Sequence, residues 1–243
     1  QMCIRDRTPP AYKQIIRVSI KSFCLKQWCI DLICEQYYNK QKRIYSYKRI
    51  CTQFAERQKA GVGMVSPKSC AILGHSPMRF AWGFDEEAAE CHDMKMELAQ
   101  QIMVLRQQGV THFSVACDYG VGLYAAELIN VLRDNDPELM LFCVTPYEEQ
   151  ATKWTPELRE RYFDMLIKCT HMTAASLHKQ PDAQLEAYRT IIRQSDMVLA
   201  VYDPASARGD DADKAIAYAR ELGKPILTIH PDTLKIEYAC IEV

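Results

Sequence analysis

Long apolar runs are absent from this 243-residue sequence, since none approaches the roughly 18 consecutive residues that a membrane-spanning helix requires. The N-terminus also lacks a hydrophobic stretch followed by a small-residue cleavage site, so no signal peptide is predicted. The eleven cysteines show no C-x-x-C spacing, and several fall inside apolar segments (Cys70, Cys143 and Cys169). We therefore expect reduced, mostly buried thiols in a cytoplasmic protein that has no membrane partner.

Familiar catalytic and metal-binding motifs are missing as well. The sequence contains no Walker A lysine motif, no G-x-S-x-G nucleophile motif and no G-x-G-x-x-G dinucleotide fingerprint. The six histidines stand singly, without the spacing of a zinc site (His75, His92, His112, His171, His178 and His230). We expect no metal site, and we interpret the histidines at the edges of predicted strands (His112, His171 and His230) as structural.

Charge is distributed unevenly along the chain, although the formal net charge is only −1. Residues 1–69 contain 14 Lys and Arg against 4 Asp and Glu, whereas the remainder contains 16 against 27. Two segments of such opposite composition are not expected to share one core. We therefore divide the chain into an N-terminal extension at residues 1–63, a domain at residues 64–230 and a C-terminal tail at residues 231–243.

The extension at residues 1–63 mixes basic and aromatic residues without sustained periodicity, a composition that is compatible with nucleic-acid binding. Its residues 2–7, Met-Cys-Ile-Arg-Asp-Arg, resemble translated sequencing-adaptor sequence. Met64 stands shortly before the first predicted strand, where a natural start is expected. We therefore expect residues 1–63 to be upstream read-through or a poorly ordered segment.

From residue 69 onward, short apolar runs alternate with segments of helical periodicity, the pattern of a parallel sheet that is covered on both faces. Strands are predicted at residues 70–74, 113–117, 139–144, 171–174, 197–202 and 225–229. Helices are predicted at residues 86–108, 121–135, 155–169, 182–195 and 211–222. The pattern predicts an α/β fold with a doubly wound, mainly parallel, Rossmann-like sheet of about six strands. Helices should cover both faces, and ligands should bind at the carboxyl ends of the strands.

The first predicted strand ends in Gly74, His75, Ser76 and Pro77, and a long loop that contains Arg79 follows. Gly74 allows the backbone to leave the strand in a tight turn, and Pro77 stiffens the exit. We expect Gly74, His75, Ser76 and Arg79 to line the ligand crevice. His75 and Arg79 would meet a phosphate there. The alternative that His75 merely caps the strand remains open.

The second predicted strand runs through Cys117 and Asp118 into a helix that begins near Gly120, Val121 and Gly122. Glycines at such a junction let backbone amides approach an anion, and the helix N-terminus adds its positive dipole. We expect all five residues to belong to the ligand-binding site. A lone G-x-G is a weak signal, however, and packing alone could require one of these glycines.

The ends of the third and fifth predicted strands supply further candidates for the ligand-binding site (Thr145, Pro146, Tyr202, Asp203 and Gly209). After the third strand, Trp154 could stack on a base or could instead cover the junction between helix and sheet. Asp210 or Asp211 is expected to cap the helix that follows the fifth strand, so an acidic residue there need not be catalytic.

Four stretches of the sequence together resemble the YpsA-like family, namely Gly74-His75-x-Pro77, residues 120–127, residues 146–154, and Ser195-Asp196 with Tyr202-Asp203. The resemblance covers residues 70–230. That family of poorly characterised bacterial proteins belongs to the SLOG superfamily, together with the DNA-processing protein DprA and the LOG phosphoribohydrolases. The resemblance implies a Rossmann-like fold that binds nucleotides or nucleotide-derived ligands, with a stress-related role suggested for one branch.

The sequence departs from the family pattern at three positions. Ser76 stands where the family commonly has Arg, Gly122 stands where it usually has Asp or Glu, and residues 208–211 replace Gly-Gly-Thr. Asp118 is a candidate to replace the carboxylate that is missing at position 122. The Pro-Gly-Gly-x-Gly-Thr motif of the LOG enzymes and its downstream catalytic Glu are also absent. These departures favour binding over catalysis.

We therefore expect a binding or sensor domain for a nucleotide-like ligand, and the sequence identifies no other cofactor. The alternative is a phosphoribohydrolase of the LOG type, in which Asp118 or Glu127 would stabilise the reacting centre or activate water. DNA binding of the DprA type is less favoured, because residues 70–243 are acidic overall. The sequence identifies neither the ligand nor the oligomeric state, and a homo-oligomer is an open possibility.

Overall fold

The computed structural model describes residues 67–239. The strands of this region are β1 (Ser69–Gly74), β2 (His112–Val115), β3 (Met140–Tyr147), β4 (His171–Ser176), β5 (Met197–Val201), β6 (Ile226–Ile229) and β7 (Ile236–Ala239). The α-helices are α1 (Ala89–Gln107), α2 (Val121–Arg133), α3 (Pro156–Lys168), α4 (Ala183–Arg193) and α5 (Asp211–Glu221). The read-through or disorder that we expect for residues 1–63 lies outside the described residues.

The strands form one sheet in the order β4-β3-β2-β1-β5-β6-β7. Strands β1 to β6 run parallel to their neighbours, and β7 pairs antiparallel with β6. The chain proceeds outward from β1 to β4 and then returns to place β5 on the other side of β1. The strand order therefore reverses between β1 and β5, where doubly wound sheets open a crevice for ligands. The predicted Rossmann-like α/β fold is confirmed.

Alternate residues of the central strands belong to opposite layers of the core, because successive side chains of a strand point to opposite faces. Cys70 and Ile72 pack with residues of α1, α2 and α3, whereas Ala71 and Leu73 pack with residues of α4 and α5. All four side chains are fully buried. Burial on both faces explains why the central strands are continuous apolar runs in the sequence.

Two predicted helix starts are confirmed by their caps. Thr155 precedes α3, and its hydroxyl accepts a hydrogen bond from the amide of Leu158. Asp210 precedes α5 and forms a capping box with Asp213, in which each side chain accepts a hydrogen bond from the other residue's amide. Caps of this kind satisfy amides that lack a partner in the first helical turn, and each stabilises its helix by about 1 kcal/mol.

Several element ends differ from the prediction, and one strand was not predicted. β2 ends at Val115, because Cys117 has a left-handed φ of 52° that an extended strand does not accommodate. β3 continues to Tyr147 although Pro146 has no amide to donate, and the pairing with β4 skips that position. β7 lies within residues 231–243, the segment expected to be a tail.

The described cysteines are all free thiols (Cys70, Cys91, Cys117, Cys143 and Cys169). All of them except Cys169 are buried, and burial raises the pKa of Cys70 and Cys91. The thiols of Cys70 and Cys91 therefore stay protonated, and the buried cysteines serve as small apolar residues of the core. Across residues 67–239, no helix combines the length and the hydrophobicity that crossing a lipid bilayer requires.

Candidate functional site

The crevice at the reversal between β1 and β5 is bordered by the loops that follow β1, β2 and β5. The amide of His75 donates to the carbonyl of Val201 over 3.1 Å, which joins the ends of β1 and β5. A Cβ atom at Gly120 would lie 3.0 Å from Cγ of Pro77, so the loops after β1 and β2 are in contact. The structure thus brings together the predicted ligand-binding residues of these three loops.

Two of the predicted glycines are required by close packing. A Cβ atom at Gly74 would lie 2.6 Å from Cγ2 of Val121, because α2 begins directly against the end of β1. Gly120 has a φ of 113°, a conformation that residues with a side chain rarely adopt, and Pro77 fills the space beside it. The glycines therefore allow α2 to start at the mouth of the crevice, with its N-terminus unobstructed by side chains at position 120.

His75 connects the ends of β1 and β5 from a buried position. Its side chain is 1% exposed, and Nε2 accepts a hydrogen bond of 2.9 Å from the amide of Asp203. The ring also contacts that of Tyr202, with 4.6 Å between centroids. Burial and the nearby charge of Arg79 lower the pKa of His75, so the ring is neutral near pH 7. The sequence left two roles open for His75, contact with a phosphate and capping of the strand. These contacts favour capping of the strand.

Arg79 ties the loop after β1 to the loop after β5. Its guanidinium pairs with Asp210 at 2.6 Å and with Asp213 at 3.2 Å, and it also donates to the carbonyl oxygen of Ser206. The Arg79 side chain is only 5% exposed. Its positive charge is therefore compensated inside the protein. Ser76, three residues earlier in the same loop, is exposed at the crevice.

The loop after β5 wraps around the carboxylate of Asp213. The amides of Arg208 and Gly209 each donate to Oδ2 over 2.6 Å, and the amide of Asp210 donates over 3.2 Å. The hydroxyl of Tyr202 donates to Oδ1 over 2.9 Å. These donors, together with Arg79, outweigh burial and lower the pKa of Asp213. An internal anion thus occupies this nest of backbone amides.

The loop after β2 is held from the end of β3. Cys117 is buried in its left-handed conformation, and its carbonyl accepts a hydrogen bond of 2.6 Å from the side chain of Gln150. Thr145 is buried within β3, and its hydroxyl donates to the carbonyl of Thr173 over 3.4 Å. Pro146 is buried next to it. Gln150 thus holds the loop after β2, whereas the hydrogen bond of Thr145 lies between β3 and β4.

Asp118 is a buried carboxyl at the start of α2. A Cβ atom at Gly122 would overlap Oδ1 of Asp118, so the carboxyl fills the space that a side chain at position 122 would enter. This geometry agrees with the idea that Asp118 replaces the acidic residue that the family usually has at position 122. Burial raises the pKa of Asp118 to about 6, although the Tyr188 hydroxyl and the Gly122 amide partly oppose the increase.

Glu127 is engaged in a separate ion-pair network on the other side of the sheet. Both of its carboxylate oxygens bind Arg161, at 2.7 and 2.9 Å, and the same guanidinium binds Glu86 at 2.8 Å. Asp118 instead faces Tyr188 of α4, which packs on the opposite face. Asp118 and Glu127 therefore do not form the carboxylate pair that a glycoside hydrolase needs, and the geometry does not favour this alternative.

A pocket of about 580 Å³ opens beside the loop after β2. It is lined by Phe84, Tyr119, Lys153, Trp154, Thr155, Glu157, Leu158 and Arg161. The sequence analysis did not select Phe84, Tyr119 or Arg161 for the site. The available signal was the position of Tyr119, which lies next to the G-x-G stretch. Within residues 67–239, no group of three or more His, Cys, Asp and Glu side chains is arranged to hold a metal ion.

Comparison with known proteins places these features in a family. The family model described as "YspA SLOG family" matches residues 70–234, which is more than half of the chain. The chain belongs to this SLOG family. The resemblance to YpsA-like proteins that the sequence analysis identified is therefore confirmed.

Several relatives in bacteria carry the name UPF0398 protein. The one from Halalkalibacterium halodurans is 32% identical over 114 residues, which cover 45% of this chain and 59% of that protein. A relative from Bacillus cereus strain B4264 is 28% identical over 139 residues, which cover 56% of this chain and 74% of the relative. A relative from Bacillus pumilus is 24% identical over the same length. The names of these SLOG relatives specify no ligand and no reaction.

Proposed function

We propose that this SLOG domain binds a nucleotide or a nucleotide-derived ligand, whose phosphate lies at the N-terminus of α2. The carrying observation is that α2 begins at the crevice with Gly120 as its N-cap and has no acidic residue in its first turn. Partial positive charge at such a helix start attracts an anion, and the absence of a side chain at position 120 lets the anion approach, whereas the Asp118 carboxyl lies against Gly122.

The nest after β5 is not part of this proposal, because Asp213 already accepts the hydrogen bonds of its amides. Binding of DNA is not proposed either, since the region from residue 70 onward is acidic overall and phosphate contacts require a basic surface. We further propose that the protein is cytoplasmic and bacterial. This proposal applies to a monomer and to a homo-oligomer alike. The described cysteines are free, and the relatives from Halalkalibacterium and Bacillus are bacterial.

A thermal-shift titration of the full chain with nucleoside monophosphates, NAD and ADP-ribose tests this function. A ligand at a hundredfold excess over its Kd stabilises the native state by about 2.7 kcal/mol. For a domain of this size, the melting temperature should rise by about 5 to 10 °C. An unchanged melting temperature with every compound, at millimolar concentration and with folded protein, would contradict the proposal.

The position of the phosphate is tested by Ser76→Asp, which adds a negative charge on an exposed residue next to Pro77 and Gly120. We expect the affinity for AMP to fall by about fivefold, because like charges in this partly solvated setting repel by about 1 kcal/mol. Thr173→Asp adds the same charge at an exposed position of the edge strand β4 and should leave the affinity unchanged. Equal affinities of both variants would place the phosphate elsewhere.

A further inference from the structure

The pocket beside the loop after β2 contains an aromatic stack that is open to solvent. Phe84 is 58% exposed, yet its ring lies parallel to that of Tyr119, with 5.6 Å between centroids and 9° between planes. Because Phe84 is mostly exposed, its burial contributes little to the stability of the fold. Its outer face is, however, held at a fixed orientation by Tyr119 and can stack on another flat ring.

Trp154 forms a second aromatic wall of the same pocket. Its ring is tilted by 55° from that of Tyr119, with 6.4 Å between centroids. Tyr162, which is buried, supports Trp154 from behind in an edge-to-face contact of 5.1 Å. Trp154 thus covers the junction between helix and sheet and still lines the pocket, so the two roles that the sequence offered for it are compatible.

Arg161 contributes a rigid planar group to the pocket. Its guanidinium is fixed by Glu86 and Glu127, while about a third of its side chain is exposed. A guanidinium plane stacks on aromatic rings much as another ring does. Because two carboxylates compensate its charge, Arg161 favours an uncharged polar ring over a free anion. Lys153, at the rim, is exposed and adds a hydrogen-bond donor.

We propose that this pocket binds the planar base of the nucleotide whose phosphate lies at the N-terminus of α2. Tyr119 and Gly120 are consecutive residues, so the aromatic wall and the helix start are adjacent. The volume of about 580 Å³ falls within the range of pockets that hold small ligands. This assignment rests on the proposed function, and it adds the class of group that the ligand carries beyond its phosphate.

The test compares AMP with ribose 5-phosphate, which lacks the base, by calorimetric titration of the full chain. Base stacking should make AMP bind at least about tenfold more tightly than ribose 5-phosphate. Phe84→Leu should weaken the binding of AMP by about tenfold and leave that of ribose 5-phosphate unchanged, whereas Phe84→Tyr should bind AMP like the unmodified protein.

Phe163→Leu is the matched control, because Phe163 is 53% exposed on α3, contacts the ring of Tyr162 and does not line the pocket. It should bind AMP normally. Equal affinities for AMP and ribose 5-phosphate, or an unchanged affinity of Phe84→Leu for AMP, would overturn the base pocket while leaving the phosphate site intact. Failure of both compounds to bind at millimolar concentration, together with an unchanged melting temperature with NAD and ADP-ribose, would overturn the proposed function and the base pocket together.

Discussion

The loops after β2 and β5 have similar local structures, but they differ in how they accommodate an anion. Each leads from a parallel strand to a helix and contains a glycine with positive φ, 113° at Gly120 and 76° at Gly209. In the loop after β5, three backbone amides and a guanidinium surround the carboxylate of Asp213. The first turn of α2 carries no such acidic residue. The loop after β5 is thus filled by the Asp213 carboxylate. In the loop after β2 the Asp118 carboxyl lies against Gly122, and the helix start at Gly120 is suited to a ligand.

The two aspartates at these loops show the same contrast. Asp213 accepts hydrogen bonds from several donors, and its pKa is lowered. Asp118 is buried, its Oδ1 has no hydrogen-bond partner among the described residues, and its pKa is raised to about 6. Carboxyl groups that are well satisfied stabilise a fold, whereas a buried carboxyl with a raised pKa costs stability and is typical of a functional site.

The largest effect should follow from removing the internal anion. Asp213→Ala leaves Arg79 buried with one of its two carboxylate partners missing, and it frees the amides of the loop after β5. Loss of one partner from a buried ion pair costs about 4 kcal/mol. We expect the melting temperature to fall by about 8 to 16 °C, as measured by differential scanning calorimetry at pH 7.

Asp211→Ala is the control for this prediction, because Asp211 is more exposed than Asp213 and its ion pair with Lys214 spans 3.8 Å. It should cost less than about 1 kcal/mol. Since the folded state lowers the pKa of Asp213, its contribution should be complete above the ordinary value of 3.8 and lost as the pH falls below it. Equal stabilities of Asp213→Ala and Asp211→Ala at pH 7 would contradict the claim that the Asp213 carboxylate occupies the nest.

A smaller effect, of opposite sign, is expected at Asp118. Because its folded-state pKa is about 6 and its ordinary pKa is 3.8, the folded protein binds more protons than the unfolded chain between these values. Stability should therefore fall by about 2 kcal/mol as the pH rises from 4 to 7. Asp118→Asn, which cannot ionise, should lack this loss and should be the more stable protein at pH 7.

Urea denaturation of both proteins between pH 4 and pH 8 measures this difference. The two curves should nearly meet at pH 4 and separate as the pH rises. Asp211→Asn, at a half-buried position of α5, should follow the unmodified protein throughout. A constant offset between Asp118→Asn and the unmodified protein at every pH would mean that the carboxyl does not titrate as a buried group.

The fold was largely predictable because its elements are encoded locally. The central strands are continuous apolar runs, and the caps Thr155 and Asp210 mark the starts of α3 and α5. β7 was not predicted, since a strand of four residues that is exposed at alternate positions gives only a weak pattern. The early end of β2 depends on the unusual φ of Cys117, which residue type alone does not reveal.

The candidate site was less predictable because its contacts join distant parts of the chain. Arg79 reaches Asp210 across 131 residues, so its ion pairs could not be read from local spacing. The stack of Phe84 on Tyr119 likewise depends on how two loops meet above the sheet. Local sequence identified the strand ends at which chemistry is possible, and only the three-dimensional arrangement distinguishes a filled nest from an open one.

The contrast between the two loops is tested most directly by amide chemical shifts in a ¹⁵N-labelled sample titrated with AMP. The account predicts that the signals of Gly120, Val121 and Gly122 move as AMP is added. Those of Gly209 and its neighbours should stay in place, because Asp213 occupies their hydrogen bonds. Movement of the signals around Gly209, with those of residues 120–122 unchanged, would contradict the account.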